Sequence, residues 1–241
     1  MTREPTEQAQ RARRPGHLPP ALLAAAGDRV HGAGEIAAQA IEGLLEAAAS
    51  GDPELLEAGA AALLAGQPAM APVWHVAMAA RQPDPVEALV ALRRRLSEET
   101  EAAARAAVAW LRAHATGPVQ TVSESSLVGL TLRRLPQAEP GGAPDGGPAG
   151  HGLVRYGLAG LVGADAIGPA ALLNATGTAA LAAAYPTIVV ATSIKLVPAG
   201  VFERLAAPGF ERIPLERFSA VVLGAEVLDP AEAGRRAAAI G

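Results

Sequence analysis

The apolar residues of this chain change their spacing near its middle. In the amino-terminal half they recur at helical intervals, and over Glu35 to Ala49 the residues Ile36, Ala40, Ile41, Leu44 and Ala48 fall on one face. Ser50-Gly51 interrupts that pattern, and Asp52-Pro53 restarts it with a capping carboxylate and a proline at the first helical position. A further helix is predicted over Met70 to Arg81. Asp84-Pro85 repeats the start signal for a long helix to His114, with Leu89, Leu92, Leu96, Ala103, Ala107 and Trp110 in period and Gly117 past its end. After Pro118 the apolar residues come instead in short runs, at Val119 to Val122, Ala159 to Gly163, Thr187 to Ala191 and Ala220 to Leu223. Helical stretches separate them, at Ser125 to Leu135, in the small-residue run opened by Asn174 and Thr176-Gly177-Thr178, and at Pro230 to Ile240. Strand–helix alternation of this kind predicts an α/β fold whose parallel sheet is covered on both faces.

These boundaries divide the 241 residues into a polar tail (1–20, with four prolines, expected to be disordered), a helical amino-terminal domain (21–117) and an α/β domain (118–241). Proline and glycine dominate 136–150, which reads as a loop too short to hold a strand, a helix and a strand. Hydrophobic residues make up 50% of the chain and aromatics only 3%, so the core must be built from Ala, Leu, Val and Ile. A net charge of −4, without a basic stripe, argues against direct binding of nucleic acid. With no cysteine and five scattered histidines, neither a thiolate site nor a metal site is expected. No run approaches the roughly 20 apolar residues that span a bilayer. The short apolar stretch after Arg11, Arg13 and Arg14 is cut off by Asp28 and Arg29, so it reads as the start of a helix rather than a signal peptide, and a cytoplasmic protein is expected.

Candidate chemistry concentrates between Leu161 and Pro198. Asp165 follows a predicted strand directly, at the sheet edge where α/β proteins bind ligands. Apolar neighbours would raise its pKa and let it exchange protons near neutrality; alternatively it only caps its turn. Asn174, Gly177 and Thr178 mark a helix start whose free amides favour an anion. Ser193 and Lys195 follow the next strand onto the same rim, where Lys195 either neutralises a phosphate or is a solvated surface residue. Ser123, Ser125 and Ser126 precede a helix and could bind phosphate or act as ordinary caps. The layout suits a small phosphorylated ligand, with no cofactor.

The same residues carry a family resemblance. Gly163-Ala164-Asp165, Asn174 with Gly177-Thr178, and Lys195 resemble the signature of the superfamily containing the translation initiation factor 2B regulatory subunits, methylthioribose-1-phosphate isomerase and ribose-1,5-bisphosphate isomerase. Val30 to Leu44, Gln67 to Val76 and Phe210 to Glu232 are similar to further blocks of that family, in the same order. The resemblance implies a helical domain followed by a Rossmann-like domain, here with fewer strands than the family norm because of the loop at 136–150. It also implies a homodimer through the carboxyl-terminal half, which would cover some of the apolar excess. In the isomerases the residue matching Asp165 is one of two catalytic residues. The other is a cysteine, and Ser123 stands in its place.

Other departures point the same way. Ala175 replaces a lysine, His31 stands where an arginine is expected, and no E-S-R-P segment is found. Each removes a cation or a catalytic group. The resemblance therefore implies an initiation factor 2B-like protein that binds a phosphorylated sugar or nucleotide, regulatory or with a degraded active site. The alternatives are an aldose–ketose isomerase acting on a sugar 1-phosphate through Asp165, and a structural subunit with a vestigial pocket.

Overall fold

The computed structural model of the chain describes residues 17–122, 125–135 and 157–240. The expected tail falls largely outside the described residues, as do the Gly/Pro loop at 136–150 and Ser123. Two compact units are present, with boundaries at Pro68, after Ala71 and between Arg95 and Leu96, inside the long helix.

The first unit is helical. Its elements are α1 (Pro20–Gly27), α2 (Ala33–Ala49), α3 (Pro53–Gly66), most of α4 (Ala71–Ala80) and the first turns of α5 (Pro85–His114). The expected starts form as read: Asp52 accepts from the backbone N–H of Glu54 (2.9 Å) and Leu55 (3.3 Å), and Asp84 from that of Glu87 (3.0 Å). Ser50 closes α2, and Gly51 follows at φ 73°, where a side chain would be strained. Ile36, Ile41 and Leu44 are fully buried, as the periodicity predicts. The helices approach closely at Leu22. A Cβ placed on Gly43 would lie 2.8 Å from the Leu22 backbone nitrogen, so that position needs glycine, whereas one on Gly59 would lie 2.7 Å from a Leu22 methyl, which would have to shift. Buried Gln67 sends its Nε2 amide to the carbonyls of Ala25 (2.9 Å), Ala26 (3.3 Å) and Asp28 (2.7 Å), satisfying the open end of α1.

The second unit is built on a five-stranded sheet. Strands β1 (Val119–Gln120), β2 (Ala159–Val162), β5 (Thr187–Ala191) and β7 (Ala220–Leu223) lie side by side in that order, all parallel, and β8 (Glu226–Leu228) adds an antiparallel edge to β7. β5 and β7 match their predicted spans, whereas β1 is shorter than expected. Alternate residues of the central strands face opposite ways. Leu161, Ile188, Val190 and Val222 pack with Ala103, Ala107 and Leu111 of α5 and with Leu127 and Val128 of α6 (Ser126–Arg134). Val162, Val189, Val221 and Leu223 join the opposite cluster, with Ala233 and Ala237 of the last helix, Pro230–Ala238. Helices on both faces are what continuous apolar strands require.

One part of the topology corrects the sequence reading. Residues 166–214 contain a second, three-stranded antiparallel sheet, in which β4 (Ala171–Ala175) lies between β3 (Ala166–Ile167) and β6 (Phe210–Pro214). Asn174 therefore lies within a strand and does not open a helix. That helix, α7 (Thr178–Ala184), starts four residues later. The apolar pair Leu172-Leu173 is held by β6, a partner forty residues away that local spacing does not reveal. No helix among the described residues is long and apolar enough to cross a membrane.

Candidate functional site

Three loops leave the carboxyl ends of the adjacent parallel strands β1, β2 and β5, and each carries residues singled out from the sequence. The loop after β2 holds Asp165. Its N–H donates to the carbonyl of Leu173 (2.9 Å) and its carbonyl accepts from the N–H of Ala71 (2.9 Å), so the backbone is fixed from two sides. The loop after β5 is a single 3-10 turn, Ser193–Lys195, entered through Thr192. A parallel bridge between Ile167 and Leu196, with the Val197 N–H on the Ile167 carbonyl at 2.9 Å, lays the two loops side by side. This pairing brings Asp165 and Lys195 within electrostatic reach of each other.

Lys195 is not the solvated rim residue that one reading of the sequence allowed. It is only 9% exposed. Burial pushes the Asp165 carboxyl above its usual range, and Lys195 partly pulls it back. Burial likewise pushes the Lys195 ammonium below its usual range, opposed by Asp165. Both groups are displaced toward their neutral forms, which suits a pair that exchanges protons or meets a ligand charge.

A carboxylate overlooked in the sequence holds the lysine turn. Glu99 of α5 accepts the Ser193 N–H at Oε2 (2.5 Å) and the Ser193 hydroxyl at Oε1 (2.6 Å). Its neighbours Glu98 and Glu101 make it look like one of a row of solvated helix acids, so no local signal separates it.

The Asn174–Thr178 segment is internally bonded. Asn174 Nδ2 donates to Thr178 Oγ1 (3.0 Å), and that hydroxyl donates to the Ala175 carbonyl (2.8 Å), with both residues buried. The first amides of α7 meet an anion from within the chain. β4–β6 pairing sets Glu211 opposite Asn174, and Glu211 Oε1 accepts from the N–H of Gly177 (2.9 Å) and Ala179 (2.8 Å). The helix start does attract negative charge, as its dipole requires, and here a side chain supplies it. Gly177 has φ 104°, so Gly177→Ala is expected to destabilise the sheet unit by about 1–2 kcal/mol. Urea unfolding of the two proteins checks this; equal midpoints would mean the turn tolerates a side chain.

Ser125 stands at the N-cap position of α6 without a side-chain capping hydrogen bond, and Ser126, the first residue of the helix, is exposed. The loop after β1 lies next to the Gly177 turn, since a Cβ on Gly177 would sit 3.9 Å from Val122 Cγ1. Ser123 lies outside the described residues. His31 belongs to the helical unit, where its Nδ1 is 2.6 Å from Asp28 Oδ2. Glu226 is an exposed partner of Arg236 at 2.7 Å and takes no part in the site.

No protein-family model and no curated protein sequence matches the chain. Solved structures do. The chain is similar to the translation initiation factor eIF-2B of Pyrococcus horikoshii OT3, at a TM-score of 0.66 and 16% identity over 95% of this chain and 99% of that one. It is also similar to a chain of the tetrameric eIF2B-beta2-delta2 complex from C. thermophilum (TM-score 0.61, 15% identity, 90% and 92% covered). The 5-methylthioribose 1-phosphate isomerase of P. horikoshii OT3 matches at a TM-score of 0.50 and 16% identity, over 92% and 87% of the two chains. A helical region leading into a parallel sheet, found in the order the sequence blocks suggested, gives this chain the fold shared by eIF-2B subunits and methylthioribose 1-phosphate isomerase.

Proposed function

We propose that this protein is an initiation factor 2B-like regulatory protein that binds a phosphorylated sugar or nucleotide at the rim formed by the loops after β1, β2 and β5. The observation that carries this reading is the recessed Asp165–Lys195 pair at the carboxyl ends of adjacent parallel strands. A buried cation and a partly buried acid held on two fixed loops are costly to the fold, and a ligand charge would offset that cost. Lys195 serves the phosphate, Asp165 a ligand hydroxyl, and the Ser125–Ser126 helix start offers further donors. Asn174, Gly177 and Thr178 act mainly as the frame behind the site, because their polar groups already bond one another and Glu211. The protein works as a homodimer in the cytoplasm, in keeping with the oligomeric eIF2B complex it resembles.

A second reading, aldose–ketose isomerisation, draws on one observation: the carboxyl of Asp165 is pushed toward the range in which it could shuttle a proton at neutral pH. Thermal-shift screening with ribose 1,5-bisphosphate, methylthioribose 1-phosphate, AMP and GDP tests both. A regulatory protein is stabilised by one class without turnover, and Lys195→Ala weakens that binding by about 1.5–3 kcal/mol. An isomerase shows turnover that Asp165→Asn abolishes while affinity is largely kept. No stabilisation by any of the four would leave the structural-subunit reading.

A further inference from the structure

The chain contains 20 lysine and arginine residues, and Lys195 is the only lysine among them. Every other cation is a guanidinium. Where a permanent positive charge is all that is needed, arginine serves at least as well and binds phosphate in two-pronged fashion. What an amine adds is the ability to lose its proton and act as a nucleophile. The one lysine stands where that ability is favoured, since it is 9% exposed and lies within electrostatic reach of Asp165, in a pair that burial drives toward neutrality. Among the described residues no hydrogen bond or ion pair occupies its Nζ.

Two features of the same turn bear on a ligand. Thr192, three residues before Lys195, has a buried hydroxyl with no partner among the described residues, and the residue is 3% exposed. Such a group is costly unless something bonds it, and a ligand oxygen would. The turn is also preorganised. The Lys195 N–H donates to the Thr192 carbonyl (3.0 Å), Glu99 clasps Ser193, and Leu196 is bridged to Ile167. The amine is therefore carried on backbone fixed at both ends.

We propose that Lys195 is a carbonyl-reactive amine that forms an imine with the open-chain aldehyde or ketone of a sugar phosphate, with Asp165 relaying the protons. This rests on the ligand site proposed above but moves Lys195 from the phosphate to the carbonyl, leaving the phosphate to the Ser125–Ser126 helix start, and it narrows the ligand to carbonyl compounds, excluding nucleotides. The Nζ lone pair forms the bond to the carbonyl carbon while the C=O π pair moves to oxygen, which takes the Asp165 proton. The nitrogen then releases a proton to the Asp165 carboxylate, giving the carbinolamine and restoring the acid. Next the nitrogen lone pair expels the hydroxyl, which leaves as water with the Asp165 proton. Loss of the remaining N–H proton to Asp165 yields the neutral imine. The sum is amine plus carbonyl giving imine plus water, with no oxidant or reductant. An imine at this carbon acidifies the neighbouring C–H, which is the demand of aldose–ketose interconversion.

Having one lysine makes the test clean. The full chain is incubated at neutral pH with ribose 5-phosphate, and in parallel with glyceraldehyde as a carbonyl lacking phosphate. Sodium borohydride then fixes any imine, and intact mass with peptide mapping locates it. We expect one reduced adduct, on Lys195, formed at least ~10-fold faster than on free Nα-acetyl-lysine, slowed by about 100-fold in Asp165→Asn and absent in Lys195→Arg. Thermal stabilisation by ribose 5-phosphate without a Lys195 adduct overturns the imine and leaves the phosphate-binding reading standing. A fast Lys195 adduct with glyceraldehyde and none with ribose 5-phosphate supports the reactive amine and overturns the phosphate site. Labelling confined to the N-terminal amine, or no faster on Lys195 than on the free amino acid, overturns the proposal. The measurements on the unaltered protein decide this even if a variant fails to fold.

Discussion

Replacing Glu211 with alanine is expected to lower the stability of the sheet unit by about 2–3 kcal/mol, although no sequence pattern marks this residue as a cap. Its carboxylate holds two backbone amides at the start of α7, those of Gly177 and Ala179, across the β4–β6 pairing. Two hydrogen bonds to a charged group would contribute about 3–6 kcal/mol if fully buried, and the partial exposure of this carboxylate discounts the pair to about 2–3 kcal/mol. The loss has two parts. The amides would turn to water or stay unpaired, and α7, at seven residues, is too short to persist without its cap and packing. Glu211→Gln keeps an acceptor in place and should recover more than half of the stability, since only the charge interacting with the helix dipole is gone. Urea unfolding of the two variants checks this. A Glu211→Ala midpoint equal to that of the unaltered protein would show that the carboxylate is incidental to the fold.

The contrast between Glu211 and Asp52 shows where sequence reading succeeds and where it stops. Asp52 caps the helix that begins one residue later, so its role is written in adjacent letters. Glu211 caps a helix more than thirty residues upstream, and Glu99 holds a turn 94 residues downstream, so both depend on pairings set by the whole fold. The same distinction runs through the strands. β5 and β7 are continuous apolar runs buried on both faces, and their limits are legible. β3 is two residues long, and the end of β4 is misread because Asn174, two residues before Thr176-Gly177-Thr178, looks like the opening of the helix that follows. At the site, Asp165 and Lys195 were legible as loop residues after strands. Their closeness was not, because it rests on the bridge between Ile167 and Leu196.

The closeness of this pair leads to opposite pH dependences for its two single variants. In Lys195→Met, Asp165 loses the cation that pulls its pKa down, while the burial that raises it remains. Its pKa in the folded state then exceeds the unfolded value, so the folded state binds more protons in the interval between them. Stability must fall as pH rises from about 4 through the folded pKa, by as much as ~1.4 kcal/mol per pH unit where the difference is a full proton. In Asp165→Asn, Lys195 loses the anion that supports its charge, and burial drives its pKa further down. The folded state now binds fewer protons than the unfolded one between the two pKa values. Stability must therefore rise with pH over that interval and be lowest where the buried ammonium stays charged. The variant carrying both changes removes both charges and should show neither slope, with less destabilisation than the sum of the single variants, by about 1 kcal/mol or more. Urea unfolding of the three proteins from mildly acidic to mildly alkaline pH separates the cases. Parallel pH profiles for the two single variants would mean that Asp165 and Lys195 titrate independently, and both the ligand site and the imine chemistry would lose their physical basis.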